Sequence, residues 1–291
     1  MPGRALPGGL QSSRFSHFSL AIICEICFYF VFILRIKSGD KMKKLIAANW
    51  KMYKTVAEAE KTAAELVKLV SDLPKDVEVA VFPPFTAIAP VAGVFKGKAG
   101  FSAGGQDVYP AAEGAFTGEI SPQMLLDAGC RYVLCGHSER RHVIGESNHL
   151  VGKKAAFALE QGLAVILCVG ETLEQREAHE LADVLHEQLI TGLKGIPDSV
   201  NSADIVIAYE PVWAIGAGKV AGPAEVVEAH GLIRKYLKEF LPAQSQEVRI
   251  LYGGSVKADN AAEIKSLDNV DGLLVGGASL KAETFTEIIK A

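Results

Sequence analysis

The stretch Leu45-Ile46-Ala47-Ala48-Asn49-Trp50-Lys51-Met52 discriminates between the two folds that best suit this chain. Its first four residues are an apolar run, typical of a parallel strand that is buried on both faces. An open doubly wound sheet is expected to carry a Gly-x-Gly-x-x-Gly turn directly after its first strand. The segment Asn49-Trp50-Lys51-Met52, which contains no glycine, follows instead, and this favours a closed barrel.

The alternation of strand and helix continues from this stretch to the C-terminus. Helix starts are indicated by a capping box of Thr55 with Glu58 and by the pair Ser121-Pro122. The predicted strands are 45–48, 77–82, 99–103, 132–135, 164–168, 205–208, 248–251 and 272–275. About eight such units without a break in composition predict an α/β fold, a (β/α)8 barrel with eight parallel strands.

The bulk composition excludes several classes of protein. The chain has 291 residues, 49% of them hydrophobic, and a formal net charge of -4. It can therefore bury a large core, and the charge argues against a nucleic-acid surface, although a local anion pocket remains open. The five cysteines form neither a disulfide framework nor a zinc site, so we predict no metal.

The first 41 residues differ from the rest of the chain. Residues 20–36 are almost wholly apolar, are interrupted by Glu25, and are flanked by basic residues. A carboxylate there would cost about 2.5–3.5 kcal/mol in a membrane. A membrane span, a signal-anchor and a misassigned start are the three interpretations, and we favour a natural start at Met42. We predict a leader over 1–41 and a catalytic barrel over 42–291, with membrane contact only if the leader is native and inserted.

The segment from Tyr209 to Ile215, Tyr-Glu-Pro-Val-Trp-Ala-Ile, places Glu210 directly after an apolar strand. A stiff Pro-Val-Trp follows, and then the flexible Gly216-Ala217-Gly218. This order is typical of a general base beside a lid that closes over a substrate. The alternative is an ordinary loop in which the carboxylate caps a helix.

Further polar side chains follow other predicted strands, where the chemistry of a barrel is located. Asn49 and Lys51 end the first strand and can point the same way, and His137 follows the fourth. A lone lysine or histidine at a strand end is more often a surface or structural residue. Together with Glu210, however, these residues predict one polar cavity.

Glycine pairs follow the last two strands, as Gly253-Gly254 before Ser255 and as Gly276-Gly277. Such turns let the backbone approach an anion closely, and the loops after strands seven and eight often bind phosphate in this fold. The alternative is a pair of tight turns in which glycine serves geometry alone. We favour a phosphate site.

Five motifs at five strand ends resemble the triosephosphate isomerase family, whose fold is the TIM barrel. They are Asn49-Trp50-Lys51-Met52, Cys135-Gly136-His137-Ser138-Glu139-Arg140, Tyr209-Glu210-Pro211-Val212-Trp213-Ala214-Ile215-Gly216, Tyr252-Gly253-Gly254-Ser255 and Val275-Gly276-Gly277-Ala278-Ser279. The resemblance runs in order from Leu45 to the C-terminus and has no counterpart for the leader.

The resemblance implies a role for each candidate residue. Glu210 would be the catalytic base, His137 would donate a hydrogen bond to the enediolate oxygens, and Lys51 would balance the charge of phosphate and enediolate. Asn49 would bind the substrate oxygen, and Glu139 would lie close to Lys51. The residues that hold the phosphate would be Gly216, Ser255, Gly276 and Gly277.

The resemblance also implies a cytoplasmic, cofactor-free enzyme of glycolysis and gluconeogenesis that isomerises triose phosphates. It implies a homodimer formed through the loop from Gly105 to Glu119. Two departures from the common family pattern, Asp107 after Gln106 and Ala217 in the lid, concern the interface and the lid kinetics. The alternatives are another phosphate-binding barrel isomerase or synthase, and a membrane-tethered interaction protein on an inactive barrel.

Overall fold

The computed structural model describes residues 1, 3, 42–197, 199–215 and 221–291. The chain divides into two units, Met1–Lys41 and Met42–Ala291, and the predicted leader lies outside the described residues apart from Met1 and Gly3. In the second unit each strand pairs in parallel with the next, and the eighth pairs with the first to close a barrel. The predicted (β/α)8 barrel is confirmed.

The strands follow the predicted order closely. They are β1 (Lys44–Asn49), β2 (Val77–Phe82), β3 (Phe101–Gly105), β4 (Cys130–Cys135), β5 (Ala164–Val169), β6 (Ile205–Tyr209), β7 (Arg249–Tyr252) and β8 (Gly272–Val275). Nearly all their residues are buried, as expected of parallel strands that are covered on both faces.

Helices cover the outside of the barrel. Those of the described residues are α1 (Val56–Leu69), α2 (Ile88–Phe95), α3 (Pro122–Asp127), α4 (Asn148–Glu160), α5 (Leu173–Glu177), α6 (Leu181–Gly192), α7 (Pro223–Phe240), α8 (Ala258–Ser266) and α9 (Ala282–Lys290). None of the helices that the structure describes is long and apolar enough to span a membrane.

The helix starts predicted from the sequence coincide with N-termini of helices in the structure. The Thr55 N–H donates to Glu58 Oε2 over 2.7 Å, one half of the predicted capping box. The Met124 N–H donates to Ser121 Oγ over 3.3 Å, and Pro122 is the first residue of α3. Helix α2 was not predicted, because its segment is continuously apolar and contains a proline, Pro90, which is tolerated in the first turn.

Two apolar layers form the core. Alternate strand residues such as Ile46 and Ala48 pack outward in a large cluster with the helices. Their neighbours Leu45 and Ala47 join residues of β2, β4, β5, β6, β7 and β8 in a second cluster that fills the barrel interior. The barrel interior is therefore a packed core and not a pore.

Candidate active site

A cavity of about 400 Å³ opens at the carboxyl ends of the strands. Most of the predicted site residues line it: Asn49, Lys51, His137, Glu210, Ser255, Gly276 and Gly277. Glu139 adjoins it through a contact with Lys51. Gly216 lies outside the described residues. The structure thus brings together every predicted site residue that it describes.

Glu210 and His137 form a buried pair in this cavity. Glu210 comes directly after β6, and His137 lies two residues beyond the end of β4. Glu210 Oε1 lies 2.9 Å from His137 Nε2, and the side chains are only 3% and 7% exposed. Glu210 Oε2 accepts a hydrogen bond of 3.0 Å from the Ser138 N–H. Both carboxylate oxygens are therefore held in place.

The surroundings of Glu210 keep it ionised. Burial raises the pKa of this carboxyl, but His137, the Ser138 N–H and Lys51 lower it by more, so the pKa lies below its ordinary value. The group is a carboxylate at neutral pH, which is the form that a general base requires.

A backbone contact selects the tautomer of His137. The Glu139 N–H donates to His137 Nδ1 over 3.2 Å, so the ring proton of the neutral imidazole is on Nε2 and faces Glu210. Burial lowers the pKa of His137, but the Glu210 and Glu139 carboxylates together raise it by more, so the pKa lies above its ordinary value. The imidazole is thus presented as a hydrogen-bond donor toward the cavity.

Lys51 is held in an unusual backbone conformation beside this pair. Its φ is 51°, a left-handed value that costs a non-glycine residue about 1–3 kcal/mol. Its N–H donates to Asn49 Oδ1 over 3.0 Å, and its Nζ lies 2.7 Å from Glu139 Oε1. Gln106 Nε2 donates to its carbonyl oxygen over 2.8 Å. These contacts aim the ammonium group at the cavity.

The glycine turns differ in why they need glycine. A Cβ at Gly253 would lie 2.9 Å from Glu210 Cγ, so glycine there makes room for the carboxylate. A Cβ at Gly276 would lie 3.3 Å from Lys51 Cε, whereas one at Gly277 would meet nothing within 4 Å. Gly277 therefore leaves its backbone open to the cavity, as an anion site requires.

Comparison with known proteins places this geometry in a family. The family profile described as "Triosephosphate isomerase" matches residues 44–291. The chain belongs to the triosephosphate isomerase family. The "Triosephosphate isomerase" of Nitratidesulfovibrio vulgaris (strain DSM 19637 / Miyazaki F) is 62% identical over 251 residues, 86% of this chain and 100% of that protein.

Two further relatives carry the same name. The "Triosephosphate isomerase" of Oleidesulfovibrio alaskensis is 61% identical and covers 86% of this chain and 100% of its own length. That of Lawsonia intracellularis is 52% identical and covers 86% and 98%. The resemblance inferred from the five motifs is confirmed, and the chain is an isomerase of this family.

Glu171 was not predicted from the sequence, although it holds the residues on either side of Glu210 in this triosephosphate isomerase family member. Glu171 lies just beyond β5, is fully buried, and accepts hydrogen bonds from Trp213 Nε1 (2.8 Å) and the Tyr209 hydroxyl (3.1 Å). Burial raises its pKa. It anchors the turn Val212–Ala214 that follows Glu210. Its signal in the sequence was a charge at a strand end.

Asp107, noted as a departure from the common family pattern, is buried in a charge cluster. Lys154 Nζ lies 2.7 Å from Asp107 Oδ1, and Arg140 Nη2 lies 2.8 Å from Asp107 Oδ2. Glu146 contacts both cations. Asp107 and Glu146 together supply two negative charges for the two cations, and an asparagine at position 107 would leave one positive charge unbalanced.

The arrangement suits proton transfer beside an anionic group. A carboxylate, an imidazole donor and an ammonium group face one cavity that is bordered by open backbone turns. Across the described residues no cluster of three or more His, Cys, Asp or Glu side chains is placed to hold a metal ion.

Proposed function

We propose that this isomerase interconverts D-glyceraldehyde 3-phosphate and dihydroxyacetone phosphate, a step of glycolysis and gluconeogenesis, by a proton shuttle through a cis-enediolate. The observation that carries the proposal is the 2.9 Å pair of Glu210 and His137, which faces a cavity shared with Lys51. A base, a hydrogen-bond donor and a cation are the groups that a charged enediolate intermediate needs.

In the proposed shuttle, Glu210 removes the proton from the carbon beside the substrate carbonyl and returns it to the neighbouring carbon. The electron pair of the broken C–H bond moves toward the carbonyl oxygen and gives the enediolate. His137 Nε2–H stabilises the enediolate oxygens and allows a proton to pass between them. Because Nε2 faces Glu210 in this structure, substrate must enter between the two groups and separate them.

The remaining residues are proposed to hold the charged ends of the substrate. Lys51 balances the negative charge of phosphate and enediolate, Glu139 orients Lys51, and Asn49 hydrogen-bonds the substrate oxygen. The residues proposed to bind the phosphate are Gly216, Ser255, Gly276 and Gly277. A closed lid would retain the enediolate, because a free phosphorylated enediolate eliminates phosphate in water.

The test combines turnover with solvent exchange. We expect purified protein to interconvert the two triose phosphates and to incorporate deuterium from ²H₂O at the carbon that receives the proton. Phosphoglycolate, a mimic of the enediolate, should compete with substrate. Turnover of a larger phosphorylated sugar without triose phosphate isomerisation would overturn the proposal in favour of another phosphate-binding barrel enzyme.

We also propose a homodimer through the loop from Gly105 to Glu119. Exposed apolar side chains of the single chain lie within this loop (Phe116), after β1 (Met52 and Tyr53) and after β4 (Val143 and Ile144). Exposed apolar surface of this kind favours association with a second copy. Ile144→Glu should give a monomer by light scattering, whereas Ile190→Glu, at an exposed position on α6, should remain a dimer. A monomeric wild type would refute this proposal.

Two further proposals concern the whole chain. The barrel over 42–291 is the catalytic domain, so a chain that begins at Met42 should have full activity, and lost activity would show that the leader matters. The enzyme is proposed to act in the cytoplasm, because a charged phosphate ester does not cross a bilayer unaided. Cell fractionation followed by an activity assay tests this location.

A further inference from the structure

We propose that Lys54 is a positioning residue that ties the loop after β1 to the phosphate-facing turn after β8. The inference rests on the proposed function, because it assigns that turn to the substrate phosphate. The proposed catalytic residues do not include Lys54, which lies beyond them in the loop before α1.

The backbone of Lys54 is the first indication of a special role. Its φ is 77°, in the left-handed region that glycine adopts freely and a lysine adopts at a cost. Such conformations persist where surrounding contacts over-determine them. We therefore expect contacts of the Lys54 side chain to hold this backbone conformation.

The Lys54 ammonium group reaches the turn after β8. Its Nζ donates hydrogen bonds to the Leu280 carbonyl oxygen over 2.8 Å and to Thr62 Oγ1 over 2.9 Å. It also lies 5.1 Å from the centroid of the Trp50 ring, within range of a cation–π contact. The Lys54 side chain is half-buried, and this burial lowers its pKa.

Trp50 makes a parallel connection. Its Nε1–H donates to the Ser279 carbonyl oxygen over 3.0 Å, and its side chain is buried. Two side chains of the β1 loop thus hold two successive carbonyl groups, those of Ser279 and Leu280. These residues end the turn Gly277–Ser279, which is closed by a Leu280 N–H to Gly277 carbonyl hydrogen bond of 3.2 Å.

The direction of the peptide groups at Gly276 and Gly277 depends on how the end of this turn is anchored. A charge-assisted hydrogen bond to a carbonyl group contributes more than a neutral one. Loss of the Lys54 ammonium should therefore loosen the turn and weaken phosphate binding. The chemical step on the carbon skeleton, which depends on Glu210 and His137, should be spared.

The experiment compares Lys54→Met, which removes the ammonium, with Lys54→Arg, which keeps a cation and donors. Lys54→Gly serves as a second variant, because glycine is suited to the left-handed backbone and preserves folding. The matched control is Lys61→Met on α1, at a lysine whose side chain is 77% exposed. Each protein is assayed with glyceraldehyde 3-phosphate, with phosphoglycolate, and with unphosphorylated glyceraldehyde.

For Lys54→Met and Lys54→Gly we expect kcat/KM for the phosphorylated substrate to fall about tenfold, mainly through KM, and phosphoglycolate affinity to fall by about the same factor. Activity on glyceraldehyde should stay within about twofold of wild type. Lys54→Arg should recover most of the loss, and Lys61→Met should match wild type.

Two results would overturn the proposal: unchanged phosphoglycolate affinity in Lys54→Met and Lys54→Gly, or an equal loss on phosphorylated and unphosphorylated substrates, which would indicate a general structural role. Failure of the proposed function is recognised separately, because wild-type protein would then show no triose phosphate isomerisation.

Discussion

The charged side chains at the two ends of the barrel have different surroundings. At the floor, where the strands begin, Arg249 reaches across the interior to Glu78 Oε2 and to the Tyr132 hydroxyl, each at 3.0 Å. At the mouth, Glu210, His137 and Lys51 also contact protein groups, but they border a cavity. Floor charges thus complete the packing of the interior, and mouth charges remain available to a ligand.

Positive φ values of non-glycine residues occur at both ends of the barrel. Lys51 and Lys54 have them at the mouth, and Asn269 has a φ of 59° just before β8, at the floor. The two ends therefore differ in what surrounds their charges and not in backbone strain. We expect substitutions of the charged residues at the mouth to change activity with little effect on stability, and substitutions at the floor to do the reverse.

The largest effect is expected at the mouth. Glu210→Gln should lower kcat about 10³–10⁴-fold, because an amide cannot accept the substrate proton. Glu210→Asp is the companion variant. It keeps a carboxylate but places it farther from the substrate, so its kcat should also fall by orders of magnitude. Thermal unfolding should stay close to that of wild type. Near-normal turnover in Glu210→Gln would refute the role of this residue as base.

At the floor, Arg249→Met should lower the free energy of unfolding by about 1–3 kcal/mol, because the half-buried Glu78 carboxylate and the buried Tyr132 hydroxyl lose their hydrogen-bond partner. Activity per folded molecule should be unchanged. Denaturant unfolding measures the stability, with Lys153→Met at an exposed position on α4 as the control. A selective loss of kcat in Arg249→Met would contradict the separation of the two ends.

The buried histidines of the described residues, His137 and His230, allow the comparison to be extended to pH. His230, on α7, faces a backbone group: its Nδ1 lies 2.9 Å from the Asn269 carbonyl oxygen. Burial lowers its pKa to about 4. The unfolded chain binds this proton near pH 6.5 and the folded chain only near pH 4, so acid favours unfolding. We expect a loss of about 3 kcal/mol over that interval.

The variant His230→Gln isolates this contribution. Its free energy of unfolding should depend less on pH between 6.5 and 4 than that of wild type, as measured by urea unfolding at several pH values. Parallel curves for the two proteins over that interval would show that His230 titrates normally.

The smallest expected effect is a change in the pKa of His137. Burial lowers its pKa, and Glu210 is the largest of the causes that raise it, so Glu210→Gln should lower the pKa of His137 below its wild-type value. The imidazole ¹⁵N shifts, followed by NMR as a function of pH, measure the change. An unaltered pKa would mean that the two side chains do not interact in solution.

Much of the site was predictable because its residues stand at strand ends. Asn49, His137 and Glu210 each follow an apolar run, and the carboxyl ends of parallel strands meet at one end of a barrel. The start of α1 was predictable from Thr55 and Glu58, because capping is a contact between near neighbours. Helix α2 was missed, because its segment is apolar throughout and has no polar face to reveal a period.

Other residues had no local signal. Gln106 holds the carbonyl group of Lys51, 55 residues away, and Lys54 holds that of Leu280, 226 residues away. Each looks in the sequence like an ordinary polar residue near a strand end. Only the closure of the barrel decides which backbone group each one meets.

The sequence by itself determined the alternation of strand and helix, the approximate positions of the strands and the set of polar residues that follow them, because period and capping depend on neighbours within a few residues. Tertiary structure alone decided the 2.9 Å pair of His137 with Glu210 and the aim of Lys51 toward Glu139. Those contacts join side chains from different strands, and their geometry exists only once the eight strands close on one another.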